Sequence, residues 1–250
     1  MSKSDRFAQI LSLLNKQKFL SVEELSSLLY VSASTLRRDL AEMSRNGYLV
    51  RSRGGAMALS SADADENVIH SRAVNFSPSQ LAIASRAASL IPDGDCIFLD
   101  SSHLSLCIAQ FIRSRRQLLI VTNSPQLILA LPEGRHQIVC CSGALNPQNL
   151  SMLDESTHRI AAAFNYTAAF LSARGVWHGT VGVRSLASVS LFSAVMEHAK
   201  CSYLMCLKER VGHIAPVNLA PVQDFTAIIT DAAPQALAEA GADLPLLAAK

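Results

Sequence analysis

The sequence predicts an α/β protein in two parts: a small N-terminal domain of three short helices and a hairpin, and a larger C-terminal domain built on a mainly parallel sheet. Three observations predict it. Residues 1–50 carry apolar positions at helical spacing in three separate runs. A basic, alternating segment with a Gly-Gly pair follows them. From Gln80 onward, continuous apolar runs alternate with helical patterns, the mark of parallel strands covered on both faces. The divisions read as 1–58 for the first domain, 59–79 for a linker and 80–250 for the second, and 250 residues suffice for both.

In the first helix Phe7, Ile10, Leu11 and Leu14 form one stripe. KQKFLS interrupts it. Ser21 and Glu24 have the spacing of a capping box, and Val22, Leu25, Leu28 and Leu29 give the second helix its apolar face. After a break at Tyr30–Val31, Ser32 caps a third helix with Leu36, Leu40 and Met43 inward and Asn46-Gly47 as its stop. Ser34, Arg38, Ala41 and Arg45 then point outward, flanked by Thr35 and Arg37. YLVRSRGGAMAL, residues 48–59, follows as a hairpin turning at Gly54-Gly55 and carrying Arg51 and Arg53.

Two helices, a tight turn, a basic third helix and a hairpin make a winged helix-turn-helix, with the third helix placed for a DNA major groove. Small hydroxyl residues near its start permit close approach, and guanidinium forks match the acceptors of guanine. Charge agrees with this. Residues 1–55 hold nine Lys/Arg and five Asp/Glu, a surplus of four, and since the net charge is +2 the remainder carries −2. The candidate DNA-contacting residues are Ser21, Ser32, Ser34, Thr35, Arg37, Arg38, Arg45, Arg51 and Arg53, and the expected partner is a double-stranded DNA operator.

Residues 6–56 resemble the winged helix-turn-helix of the DeoR family of bacterial transcriptional regulators. That family's recognition helix reads V-S-x-x-T-[IL]-R-R-D-L and its wing G-x-[LI]-x-R-x-x-G-G-A. Val31, Ser32, Thr35, Leu36, Arg37, Arg38, Asp39 and Leu40 match the first; Gly47, Leu49, Arg51, Gly54, Gly55 and Ala56 match the second. Ser52-Arg53 departs from the His usual before the glycines.

Beyond the small, acidic linker, a helix at Leu81–Leu90 leads to the strand Cys96–Leu99, ending in Asp100, and a helix at Ser102–Arg113. Strand Leu118–Val121 ends in Thr122-Asn123-Ser124, and a helix runs to Leu131. Strand Gln137–Cys141 ends near Ser142-Gly143, and a helix at Asp154–Phe164 precedes strand Thr167–Leu171. A helix at Val189–Lys200 and strands Tyr203–Leu207 and Thr226–Thr230 complete a Rossmann-like pattern. In such sheets ligands bind beyond the strands' C-terminal ends, where the polar clusters fall. Ser and backbone N–H groups at helix starts suit a phosphate. The same residue types are favoured as plain helix caps, and the sequence does not choose between the two.

The resemblance extends to this half. DeoR regulators carry a sensor domain similar to ribose-5-phosphate isomerase that binds a phosphorylated sugar. It implies a repressor of carbohydrate-metabolism genes, controlled by a small phosphorylated effector and acting as a homo-oligomer, dimer or tetramer. The implied effector residues are Asp100, Ser101, Ser102, His103, Thr122, Asn123, Ser124, Gly143 and Arg210. The usual D-S-G-T-T loop reads Asp100-Ser101-Ser102-His103-Leu104 here, a change that crowds the phosphate wrap. The usual E-x-x-x-K-R stretch falls at Val189–Ser193 without charge, and Arg210 stands where the family has a lysine. Two alternatives remain open: an isomerase-like enzyme using Asp100, His103 and Asp231, and a regulator whose sensor has lost phosphosugar binding.

Composition narrows the class further. No apolar run reaches the ~18 residues of a membrane span, and the charged, amphipathic N-terminus is not a signal peptide, so a cytoplasmic protein is expected. Six cysteines without a C-x-x-C pair argue against a zinc site or a disulfide framework. No cofactor, metal or catalytic residue is expected. Trp177 and the run Leu186–Met196 are read as core rather than subunit interface.

Overall fold

In a computed structural model, residues 3–17, 19–45, 49–52, 54–57, 76–131, 134–146 and 149–249 are described. They fall into two compact units, 1–75 and 76–250.

The first unit packs α1 (Lys3–Lys16), α2 (Val22–Leu29) and α3 (Ala33–Arg45) around one apolar cluster. Ile10, Leu14, Leu25, Leu36, Leu40 and Met43 are fully buried in it, as their spacing predicts. The capping box is formed: Glu24 N–H donates to Ser21 Oγ (3.1 Å), and Ser21 N–H donates back to Glu24 Oε2 (2.8 Å). Tyr30, at φ 54°, ends α2 in the left-handed conformation. Leu28, expected on the apolar face, is instead 53% exposed, because Val22, Leu25 and Leu29 already fill the contact with the bundle. The hairpin pairs β2 (Val50–Ser52) with β3 (Gly55–Met57). A third strand, β1 (Phe19–Ser21), lies antiparallel on β3 within the expected interruption. Gly55 permits that pairing, since a Cβ there would run into the Leu20 carbonyl. The Asn46-Gly47 stop, residue 58 and residues 59–75 of the expected linker lie outside the described residues.

The second unit opens with α4 (Pro78–Ser89), capped by Ser77 and Gln80, so the last two residues expected as linker form its first turn. Seven parallel strands follow: β4 (Cys96–Leu99), β5 (Leu119–Thr122), β6 (Gln137–Cys140), β9 (Ala168–Ser172), β12 (Ser202–Cys206), β14 (Ala227–Thr230) and β15 (Leu246–Ala248). Their order across the sheet is β15-β14-β12-β9-β4-β5-β6. Helices α5 (His103–Phe111), α6 (Pro125–Ala130), α7 (Glu155–Ala161), α8 (Leu186–Glu197) and α9 (Pro234–Glu239) lie in the connections. The first strand in sequence thus neighbours the second on one side and the fourth on the other. This reversal between β4 and β9 is a topological switch point, where chain crossovers leave a crevice.

Two further pairings interrupt the alternation. β7 (Leu145–Asn146) and β8 (Ser151–Met152) form a short hairpin. β10 (Gly175–Trp177), β11 (Thr180–Val183) and β13 (Val217–Pro221) form an antiparallel sheet whose Val176, Val181 and Val183 face the core. Trp177, expected in the core, is 42% exposed because it alternates to the opposite face of that sheet. Leu186 is likewise exposed, while Leu191, Phe192 and Val195 of the same helix are buried.

Candidate nucleic-acid interface and effector crevice

In the first unit, Ser32 Oγ lies 3.0 Å from Ser34 Oγ and 2.9 Å from Thr35 Oγ1, and it accepts the Thr35 N–H, capping α3. Ser32, Ser34, Arg37 and Arg38 are exposed and Thr35 is half-buried. The side chains of Arg37 and Arg38 enter no hydrogen bond or ion pair with another described residue. Leu36 and Leu40, which flank them in the same helix, are buried at 0% and 1% exposure, so the helix separates an apolar inner face from an exposed cationic outer face. Asp39 points inward. Its carboxylate accepts from Arg6 Nε at 2.8 Å and Arg6 Nη2 at 3.3 Å, a two-point clamp between α1 and α3 that fixes the roll of the helix. The sequence reading gave this pair no role, because its members stand 33 residues apart.

Ser21 is placed differently from the other hydroxyls. It donates to Glu24 Oε2 (2.8 Å) and accepts the Glu24 N–H, so its hydroxyl is engaged in starting α2. Arg53 lies outside the described residues, and so do the side chains of Arg45 and Arg51.

In the second unit the switch point gathers several expected effector residues. Asp100, 3% exposed, follows β4. Its Oδ1 accepts from Ser102 N–H (3.0 Å), Ser102 Oγ (2.6 Å) and Ser105 Oγ (2.5 Å). Its Oδ2 accepts from the N–H of Ser172, at the end of β9 (2.8 Å). Ser172 Oγ donates to Ser102 Oγ (2.7 Å), which also accepts the Ser105 N–H (3.1 Å). The carboxylate therefore ties the start of the loop after β4 to the end of β9. Ser105 and Ser172 were missed by sequence reasoning; Ser172 has no local signal, for it is 72 residues from its partner.

On the neighbouring strand, Asn123 donates through Nδ2 to Ser101 Oγ (3.3 Å) and to the Met152 carbonyl (3.0 Å). Its Oδ1 is buried without a hydrogen-bond partner among the described residues. A buried carbonyl in that state is an acceptor prepared for a donor. Ser124 caps α6 through its Oγ, and the Thr122 hydroxyl accepts the Ser124 N–H. Gly143 has φ +143°, and a Cβ there would lie 2.5 Å from Asp154 Oδ1 and Thr157 Oγ1. Asp154 caps α7 by accepting the Thr157 N–H (3.0 Å) and also takes the Ala144 N–H (2.6 Å); the first bond and then the second hold its pKa below the ordinary carboxylate value. His103 is the first residue of α5 and is half-buried. Arg210 lies four residues beyond the end of β12, which β9 separates from β4, so those two strands are ~10 Å apart across the sheet at ordinary strand spacing. Asp231, after β14, accepts the Lys208 N–H (2.8 Å) and anchors the turn leading to Arg210. Burial pushes the thiols of Cys107, Cys141 and Cys206 up to about 12.

Comparison with known proteins places both units. Residues 6–62 match the model of the DeoR-like helix-turn-helix domain, and residues 77–232 match the DeoR C-terminal sensor domain. The lactose phosphotransferase system repressor of Staphylococcus epidermidis is 27% identical over 234 residues, covering 92% of this chain and 93% of the relative. The glycerol-3-phosphate regulon repressor of Escherichia coli is 27% identical over 236 residues, covering 94% and 93%. Among solved structures, ribose 5-phosphate isomerase A of Methanocaldococcus jannaschii is similar at 14% identity, with 52% of each chain covered and a TM-score of 0.37.

Proposed function

The chain belongs to the DeoR family, and from that premise we propose that it is a sequence-specific repressor of carbohydrate-metabolism genes, released or tightened on DNA by a sugar-phosphate effector. The observation that carries the reading is the outer face of α3: exposed Arg37 and Arg38, whose side chains have no partner among the described residues, beside Ser34 and Thr35, on a helix whose roll is set by Leu36, Leu40 and the Arg6–Asp39 clamp. Arg45, Arg51 and Arg53 are included in the proposal as basic residues of the same N-terminal segment, and Ser21 acts by setting α2. One such unit makes too few contacts for the ~10⁻⁸–10⁻¹¹ M affinity of specific regulators, so a homo-oligomer on repeated half-sites is part of the proposal. No helix among the described residues is long and apolar enough to cross a membrane, which is consistent with action in the cytoplasm.

The effector would sit at the switch point, within reach of Ser101, His103, Asn123, Ser124 and Gly143, with Arg210 nearby. Asp100 spends both oxygens on its own loop and on Ser172, which supports a structural part for it rather than acid–base work and favours a regulator over an isomerase. A second reading, in which the crevice takes no phosphate, is favoured by Ser102: its hydroxyl donates to Asp100 and accepts from Ser105 and Ser172. Melting-temperature shifts with sugar phosphates against the parent sugars distinguish the two.

The DNA-binding reading is tested with an operator found by mapping the sites that the protein occupies in its genome. Anisotropy titrations should show affinity falling steeply with salt. The Arg37→Ala/Arg38→Ala double variant should lose about 100-fold or more in operator affinity at unchanged folding, at ~1–3 kcal/mol per bidentate contact. Retention of operator affinity within a factor of about three would reject α3 as the recognition helix.

A further inference from the structure

We infer that the sensor domain carries a second small-molecule site, on the outer face of its small antiparallel sheet, that takes an uncharged, hydroxyl-rich ligand such as a free sugar. The site shares no lining residue with the switch-point crevice, and the inference does not rest on what that crevice binds.

The geometry follows from strand alternation. Gly175 pairs with Gly182 and Trp177 with Thr180 across the β10–β11 hairpin, so all four present the same face, opposite the buried Val176, Val181 and Val183. A register shift at Val181/Gly182 brings Asn218 of β13 opposite Gly182. Two glycines in adjacent strands leave a trough in that face. The segment after β12 lies along it, and a Cβ at Gly182 would come within 2.5 Å of Ala215 Cβ, while one at Gly175 would meet the His213 carbonyl. The trough is not filled. A concavity of about 210 Å³ remains, walled by Trp177, His178, Thr180, His213 and Asn218, with Ile214 at its rim.

Packing of the 213–215 segment accounts for the glycines; it does not account for the indole. Trp177 is 42% exposed, and its ring is held at 90° to the His178 imidazole with centroids 4.4 Å apart. The turn behind it is clamped. His178 (φ 46°) and Gly179 (φ 69°) form a two-residue turn with both φ positive, a conformation that is strained for histidine. Gly179 N–H donates to the Ala240 carbonyl and its own carbonyl accepts the Val222 N–H, both at 2.9 Å. An aromatic platform is thereby fixed before any ligand arrives.

The lining chemistry selects the ligand. It contains an indole N–H, a hydroxyl, a carboxamide and two imidazoles, and no carboxylate, lysine or arginine. Hydroxyl, amide and imidazole groups both donate and accept, which matches a ligand whose own hydroxyls do both. The indole supplies an apolar surface for the C–H face of a sugar ring. A phosphate dianion finds no lysine or arginine there.

Trp177 is the single tryptophan of the chain, so its emission reports on this site directly. The full-length protein is titrated with a panel of unmodified pentoses, hexoses and glycerol, and with the corresponding sugar phosphates. At least one neutral member should give a saturable emission change in the range of about 1 mM. Asn218→Ala should weaken that response about tenfold, the usual effect of deleting one hydrogen-bonding group, and Asn123→Ala in the crevice should leave it intact. Three results overturn the inference: no saturable response to any neutral member, a response carried only by the phosphates, or one lost in Asn123→Ala and kept in Asn218→Ala. The last would mean that the signal is relayed from the crevice.

Discussion

Replacing Asp100 by Asn removes a charge and keeps the shape, so it isolates what the carboxylate does at the switch point. The best fit of the new amide keeps an oxygen toward Ser102 and Ser105, where three donors converge. That choice turns the NH₂ group onto the Ser172 N–H, and donor meets donor where 2.8 Å separated donor from acceptor. One charge-assisted bond is lost, ~1.5–3 kcal/mol, and one part-buried N–H is left unsatisfied, ~1–3 kcal/mol; relief from burying a charge offsets part, so the net cost is about 3 kcal/mol. The assay is urea unfolding followed by Trp177 emission, which reports the second unit because the only tryptophan lies there. With an m value of about 2 kcal/mol/M, the midpoint should fall by about 1.5 M. Ser105→Ala, which leaves Oδ1 two of its three donors, should cost only about 1 kcal/mol. An Asn variant whose midpoint stays within about 0.3 M of the parent would show that the carboxylate does not hold β4 and β9 together.

Two further outcomes are expected. Leu36→Ala empties a fully buried site in the first unit and should cost ~2–5 kcal/mol there; DNA binding should fail at lower temperature while the Trp177-reported transition stays where it was, and a parallel shift of that transition would show that the units do not unfold separately. The pH effect of Asp154 follows from its depressed pKa, caused by the Thr157 and Ala144 N–H groups. A carboxylate lowered in the folded state stabilises fully above its unfolded value near ~3.9 and loses that contribution as pH falls through the folded value. The stability difference between the parent and Asp154→Asn should therefore be flat above about pH 5 and shrink toward pH 3; a difference independent of pH would refute the assignment.

Much of the architecture was legible because it is local. The stripes Ile10/Leu14, Leu25/Leu29 and Leu36/Leu40/Met43 follow from a 3.6-residue repeat, and all these residues are buried as that repeat requires. Apolar runs marked each strand from β4 to β6 and β9, β12 and β14 to within about two residues. Short strands were not legible. β1, at three residues, is held by its pairing with β3 and has no pattern long enough to detect, and the same holds for the β7–β8 hairpin. Leu28 and Trp177 show the other limit, for an apolar residue on the expected face can stay exposed when neighbours have filled the contact or when the strand turns it outward.

By itself the sequence determined the three N-terminal helices, six of the seven strands of the parallel sheet and the outward placement of Ser34, Arg37 and Arg38 on α3, because capping, periodicity and charge act over four residues or fewer. Only the tertiary structure decided which distant groups meet. Strand order sets β4 beside β9, and so joins Asp100 to Ser172; the β10–β11–β13 register sets Asn218 opposite Gly182, and so opens the trough beside Trp177. Those partners are brought together by backbone pairing across the sheet, which is written in no single segment of the chain.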